Sequence, residues 1–267
     1  MRESRNIQIL TIQDKSIYMF NYQAPQDLLK DKVILVTGAG DGIGKAAAIT
    51  FAKFGATVIL LGRTVSKLEA VYDEIEAIGG AKPAIIPLNL EGAAEKDYDD
   101  VAVSIENEFG KIDGILHNAA LLGSITTLEQ YEVPVWNQLM HVNVTAPFII
   151  TKTLIPLLRL SEDASVIFTS SSVGRKGRAF WGAYAVSKFA NEGMMQVLAD
   201  ELDSSEHKIR VNSINPGATR TSMRASAYPA ENPVSNPTPE EIMPIYLYLM
   251  GQDSVGETGQ SFDAQTK

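Results

Sequence analysis

Tyr184 and Lys188 stand four residues apart in Tyr184-Ala185-Val186-Ser187-Lys188. On a helix that spacing puts two side chains on the same face. A free tyrosine ionises near pH 10 and is protonated at neutral pH. A neighbouring ammonium stabilises the phenolate and lowers that value. The pair therefore has the composition of a proton donor and acceptor. The motif is weak alone, because the chain has nine tyrosines and many lysines; an accidental surface pair would look the same. Ser170, Ser171 and Ser172 strengthen it. They follow an apolar run, and a hydroxyl at a strand end can hydrogen-bond a carbonyl. At least one of the three is expected only to shape a turn.

A second motif lies far upstream, Thr37-Gly38-Ala39-Gly40-Asp41-Gly42-Ile43-Gly44. It follows the apolar run 33–36 and precedes a helical stretch. Glycines permit tight turns and positive φ, and they let the backbone approach a pyrophosphate. The new helix offers free N–H groups and the positive end of its dipole. The spacing is Gly-x-x-x-Gly-x-Gly rather than Gly-x-Gly-x-x-Gly, and a plain glycine-rich turn is the bland alternative. Together the two motifs describe transfer of a hydride and a proton between a nicotinamide cofactor and a carbonyl or alcohol. An acid at the end of the second strand would favour NAD. That place holds Gly62-Arg63-Thr64. Arg63, with Thr64, Ser66 and Lys67, suits a 2′-phosphate, which favours NADP(H) over NAD(H). Asp41 argues the other way, since its carboxylate repels a phosphate. Arg63 as a simple surface cap is the alternative.

The elements that must position these groups alternate along the chain. Apolar runs at 33–36, 57–61, 84–88, 112–117, 165–170 and 210–214 read as strands. Helical patterns fill 45–54, 65–78, 98–109, 135–158, 184–202 and 240–250, with Leu68, Val71, Ile75 and Ile78 as one stripe. Residues 260–263 read as a last short strand. This alternation predicts an α/β fold: a single-domain, doubly wound parallel sheet of Rossmann type with helices on both faces. Strands that are continuously apolar fit burial on both faces. Residues 225–239 are rich in Pro, Ser and Asn and are expected to form a substrate lid, around 222–239. Residues 1–27 read as an N-terminal extension to a domain spanning 28–267. Ile7, Ile9, Leu10 and Ile12 form either a short strand or nothing ordered, and Met19 is a candidate ancestral start.

Bulk properties exclude other functions. Net charge is −9, which disfavours nucleic acid and anionic membranes as partners. There is no cysteine, hence no disulfide or thiolate chemistry, and a cytoplasmic location is expected. His117, His141 and His207 lack metal-ligand spacing, so no metal is expected.

The chain resembles the short-chain dehydrogenase/reductase superfamily, in its single-domain soluble branch, over about residues 28–265. The glycine loop matches the family's cofactor loop. Asn118-Ala119-Ala120 matches its Asn-Ala-Gly motif, with Ala120 in place of the usual Gly. Asn143, Ser171, Tyr184 and Lys188 match the catalytic set, Ser171 standing thirteen residues before Tyr184. Asn215-Pro216-Gly217 and Thr219-x-Thr221 match the segment that holds the nicotinamide. Asn89 stands where an Asp often contacts adenine, beside Leu90. The segments 170–175 and 262–265 resemble the YciK type of bacterial oxidoreductase, a group poorly defined in substrate.

The resemblance implies specific roles. Gly38, Asp41, Gly42, Ile43, Gly44, Arg63, Asn89, Leu90, Asn118, Ala119, Ala120, Pro216, Gly217, Thr219 and Thr221 would bind the cofactor, with Tyr184 and Lys188. Ser171 would polarise the carbonyl and Tyr184 would act as general acid. Lys188 would lower the tyrosine pKa and anchor the ribose, and Asn143 would support a relay water. Leu122, Phe180, Trp181, Met223 and Tyr228 are expected to wall a partly apolar substrate pocket. Arg175, Lys176, Arg178, Arg220 and Arg224 are expected at its mouth, where they would attract an anionic handle. Solvated loop charge is the alternative for these. The helices 135–158 and 184–202 resemble those that pair subunits in the family, so a homodimer or homotetramer is expected. A non-enzymatic cofactor-binding redox sensor of the same fold is the competing function. The intact Asn143, Ser171, Tyr184 and Lys188 set favours the enzyme.

Overall fold

A computed structural model describes residues 7–12, 15–203 and 209–266; His207 lies outside them. The strands are β1 (Ile7–Ile12), β2 (Lys15–Phe20), β3 (Val33–Thr37), β4 (Thr57–Gly62), β5 (Ala84–Pro87), β6 (Gly114–His117), β7 (Ala164–Thr169), β8 (Ile209–Asn215), β9 (Ser261–Asp263) and β10 (Gln265–Thr266). The helices are α1 (Gly42–Lys53), α2 (Val65–Ala77), α3 (Glu95–Phe109), α4 (Val133–Met140), α5 (Ala146–Leu158), α6 (Gly182–Leu202), α7 (Ser222–Ala227) and α8 (Met243–Met250). Seven strands form one parallel sheet in the order β5-β4-β3-β6-β7-β8-β9.

The pleat explains the continuous apolar runs. Ile34 and Val36 point to one face and pack with Phe51, Ile245 and Tyr246. Val33 and Leu35 point to the other and pack with Ile105, Ile150 and Phe168. All are buried. A strand with helices on both sides has no face for water, so alternation disappears. The order reverses between β4-β3 and β3-β6, which opens a crevice at the carboxyl ends of the strands.

Several expectations change in detail. Ile78 is the C-cap of α2 and is exposed, so the stripe ends at Ile75. Gly79 follows with φ +74, a conformation that terminates the helix. The expected helix 135–158 runs from α4 to α5 through a π-turn, His141–Thr145. Pro147 has no N–H to return to the carbonyl of Asn143, which is a physical reason for the irregular turn there. Helix α8 is entered through a 3-10 turn, Glu240–Ile242. The lid segment contains α7 and a 3-10 turn, Pro233–Ser235, and Asn236 within it is buried.

Among the described residues the stretch Val133–Leu158 is long and apolar enough to cross a membrane, yet half of its most apolar 18 residues are buried in the body. It packs against α3 and α6 as a core helix. His117 is also a core residue. It stacks on Phe168, its Nε2 lies 2.8 Å from Thr151 Oγ1, and burial pushes its pKa down to about 3.

The amino-terminal segment forms the hairpin β1–β2, and β2 pairs with β10 near the C-terminus. Met19 is buried. Phe20 and Tyr22 pack their rings on Tyr248. Tyr22 also donates to Asp253 at 2.8 Å.

Candidate active site

A cleft of about 510 Å³ crosses the carboxyl ends of the strands. Each strand from β3 to β8 contributes the residues that follow it. After β3 come Gly38, Asp41, Gly42 and Ile43. After β4 come Arg63, Thr64 and Lys67, and after β5 Asn89, Leu90 and Glu91. After β6 come Asn118, Ala119, Ala120, Leu121 and Leu122. After β7 come Ser170 and Ser171, and after β8 Pro216, Gly217, Thr219 and Thr221. Tyr184 and Lys188 reach in from α6. The expected site residues thus converge, except that Gly44 and Asn143 lie behind the wall rather than in it.

Gly44 is where close packing demands glycine. A Cβ there would overlap the Gly38 carbonyl and crowd the Asn118 side chain. Gly38 and Gly42 have φ +68 and +53 and lie in the region that favours glycine. Thr37, unassigned from the sequence, organises the turn. Its buried hydroxyl accepts from the Asn118 and Ala119 amides, both at 3.0 Å, and donates to Leu116 O. It therefore joins the glycine loop to the strand beyond it.

Asn143 is a clamp within the π-turn. Its Oδ1 accepts from Leu121 N at 2.7 Å, and its Nδ2 donates to Leu121 O at 2.9 Å. Nδ2 also reaches Ser187 Oγ at 3.1 Å. That ties the floor of the cleft to α6 one residue before Lys188.

At the inner end, Lys188 Nζ donates to Thr169 O at 2.7 Å and sits 5.5 Å from the centre of the Tyr184 ring. Burial lowers the Lys188 pKa to about 8, against an upward pull from Glu192. Glu192 lies one turn further along α6. Burial raises its pKa, but hydroxyls of Ser170, Ser261 and Ser213 and the Arg175 charge outweigh that and hold it low. Tyr184 departs from expectation. Burial pushes its pKa up to about 12, and a hydrogen bond with Ser171 offsets part of the rise. The protein groups alone thus keep the phenol protonated. Desolvation disfavours a buried phenolate more than these neighbours favour it.

The outer end is polar and exposed. Arg63 donates to Glu91 at 2.8 Å, and Gln138 donates to the other oxygen of Glu91 at 2.9 Å. Lys67 donates to Asp41 at 2.7 Å, which lowers the Asp41 pKa through that bond. Ser222 of α7 also reaches Asp41, at 3.2 Å, so the lid helix touches the glycine loop. Glu91 and Ser222 were not legible as site residues, because their partners lie 28 and 181 positions away.

The substrate side is apolar. Leu121, Leu122, Trp181, Met223 and Ala227 line it, while Phe180 and Tyr228 lie outside the cleft. The five cations expected at the mouth mostly have internal partners. Arg175 pairs with Glu192 and Asp263 and donates to Phe262 O. Arg178 donates to Tyr228. Arg220 donates to the carbonyls of Pro233 and Asn236 and so knits the lid. Arg224 is paired with Glu231 through both oxygens and covers the Tyr228 ring. Of the five, Arg224 alone lines the cleft.

An elongated crevice at a topological switch point, a glycine cradle without room for a Cβ, cations at one end and a Tyr–Lys pair at the other fit a dinucleotide. Comparison with known proteins agrees. The short chain dehydrogenase family model matches residues 32–232, and the chain belongs to that family. It is an oxidoreductase acting on a CH–OH/C=O group. The uncharacterised oxidoreductase YciK of Escherichia coli is 53% identical over 245 residues, 92% of this chain and 96% of that protein. A short chain dehydrogenase from Pseudomonas syringae is 60% identical, with a TM-score of 0.91 over 92% of this chain and 100% of the other. A short chain dehydrogenase structure from E. coli CFT073, described as complexed with NADPH, is 53% identical, with a TM-score of 0.88 over 91% and 100% of the two chains.

Proposed function

We propose that the protein is an NADP(H)-dependent reductase, or in reverse a dehydrogenase, for a small carbonyl or alcohol with an apolar body. The observation that carries this reading is the geometry of the two cleft ends. Ser171, Tyr184 and Lys188 meet at one, and Arg63 and Lys67 stand at the other. The NADPH complex of the related E. coli structure supports the cofactor choice. Gly38, Gly42 and the start of α1 would hold the pyrophosphate. Asn89 and Leu90 would flank the adenine, and Pro216, Gly217, Thr219 and Thr221 the nicotinamide.

When bound, the cofactor supplies a hydride equivalent. The chain's own residues manage the proton and the geometry. The Ser171 hydroxyl donates to the carbonyl oxygen and polarises it. Tyr184 Oη gives its proton to that oxygen as the alkoxide forms, which is general acid catalysis. Its raised pKa keeps the proton available at neutral pH. Lys188, held by Thr169 O, would stabilise the phenolate that remains and bind ribose. Asn143 holds Leu121 and Ser187 in place behind the reacting groups.

Leu122, Trp181 and Met223 favour an apolar substrate body. An anionic handle would have to displace Glu231 from Arg224. Residues 28–267 would form the working unit, with 222–239 as the lid. We also infer a cytoplasmic homodimer or homotetramer. The exposed Phe148 on α5 and Phe189 on α6 support subunit contact through those helices.

The test is NADPH oxidation by purified protein over a panel of neutral cyclic and open-chain ketones, with keto acids of matching size. Turnover of neutral ketones above the acids is expected. Tight binding of NADPH with no turnover of any member would instead establish the redox-sensor reading.

A further inference from the structure

Gln265 sits one strand beyond the cleft and plays no part in the chemistry above. Its Nε2 donates to Pro216 O at 2.7 Å and to Ala218 O at 3.1 Å, and lies 3.4 Å from Thr219 Oγ1. Turning the amide over would aim its oxygen at two carbonyls, so the loop itself sets the orientation. Gly217, with φ +70, lies flat on the same side chain; a Cβ there would overlap Gln265 Cγ.

The far side of Gln265 is also fixed. It pairs with Met19 in the β2–β10 ladder, and Phe20 N donates to Ala264 O at 3.0 Å. Just upstream, Asp263 accepts from Arg175 at 2.9 Å and from Asn215 at 2.7 Å. Asn215 Oδ1 in turn accepts from Gly217 N at 3.1 Å. The loop supported in this way supplies Pro216, Gly217 and Thr219 to the cleft.

We propose that Gln265 is a positioning residue: its amide holds loop 216–219 in the shape that receives the nicotinamide half of the cofactor, braced from behind by the amino-terminal strand. A loop already in its bound shape has less ordering to do when ligand arrives, so affinity rises. The proposal rests on the NADP(H) reading above for its ligand, and on the hydrogen bonds to the loop for its mechanism.

Two variants test it. Gln265→Glu keeps the length and sets a carboxylate against the loop carbonyls. Gln265→Met keeps the bulk and removes the donor. Both are expected to raise the Kd of NADPH about tenfold, the scale of one lost buried hydrogen bond with a partner left unsatisfied. The Kd of 2′,5′-ADP, which carries only the adenosine end, is expected to stay within about twofold. A generally damaged fold would weaken both ligands. In the free protein, hydrogen exchange at Gly217, whose amide donates to Asn215 Oδ1, should accelerate about tenfold, with β3 and β6 unchanged. Equal weakening of the two nucleotides, or unchanged exchange at the Gly217 amide, overturns the proposal. If the wild type bound no NADPH, the cofactor reading would fall, while the exchange measurement would still decide the role of Gln265.

Discussion

The two ends of the cleft use charge in opposite ways. At the inner end Tyr184 and Lys188 are 9% and 3% exposed. At the outer end the Arg63 and Lys67 side chains are 61% and 53% exposed. Burial moves the inner pair's pKa values toward the neutral forms, to about 12 for the phenol and about 8 for the amine. The outer cations reach into water and rest on Glu91 and Asp41. The difference teaches that desolvation shifts the proton affinities of the buried pair, whereas the exposed cations sit in pairs that can exchange partners. An exposed pair is worth little in stability, so giving it up to bind a phosphate costs little.

The sharpest way to break this comparison is at the inner end. Tyr184→Phe should lower kcat about a thousandfold, within the range for loss of a general acid, and leave the Kd of NADPH within about twofold. Steady-state rates with a neutral ketone and fluorescence titration together check it. A variant retaining more than a tenth of wild-type kcat would remove Tyr184 from the chemistry.

Arg63→Ala probes the outer end. It should weaken NADPH about tenfold, the scale of one lost charge-assisted hydrogen bond, and leave NADH unchanged. Because the site is exposed, salt should shrink the wild-type preference. Titrations at low and high salt read this out, and equal losses for both nucleotides would contradict a 2′-phosphate role.

A third effect concerns pH. The folded pKa of Lys188 is lowered from 10.5 to about 8, since its charged form is penalised by burial. Between those values the unfolded chain binds the extra proton, so stability rises with pH. Relative to Lys188→Met, the wild type should gain roughly 1 kcal/mol per pH unit between about pH 8 and 10. Urea midpoints of the two proteins at several pH values measure the gap. A flat gap would mean the amine is not desolvated in the folded state.

Local regularities carried much of this protein in its sequence. The apolar runs and helical stripes dictate a parallel doubly wound sheet, because a strand covered on both faces must be apolar throughout. The glycines at 38, 42 and 44 and the four-residue step from Tyr184 to Lys188 are legible for the same reason: a turn or one helical turn needs no distant partner. What lay beyond the sequence is what depends on partners far along the chain. The cations at 175, 220 and 224 read as free charges until folding gives them Glu192, Asp263, backbone carbonyls and Glu231. The tyrosine pKa was expected to fall beside lysine, yet burial raises it. Gln265 reaches Pro216 across 49 positions. Periodicity specifies which face a side chain takes. Only tertiary packing decides what meets it there and how much water is left around it.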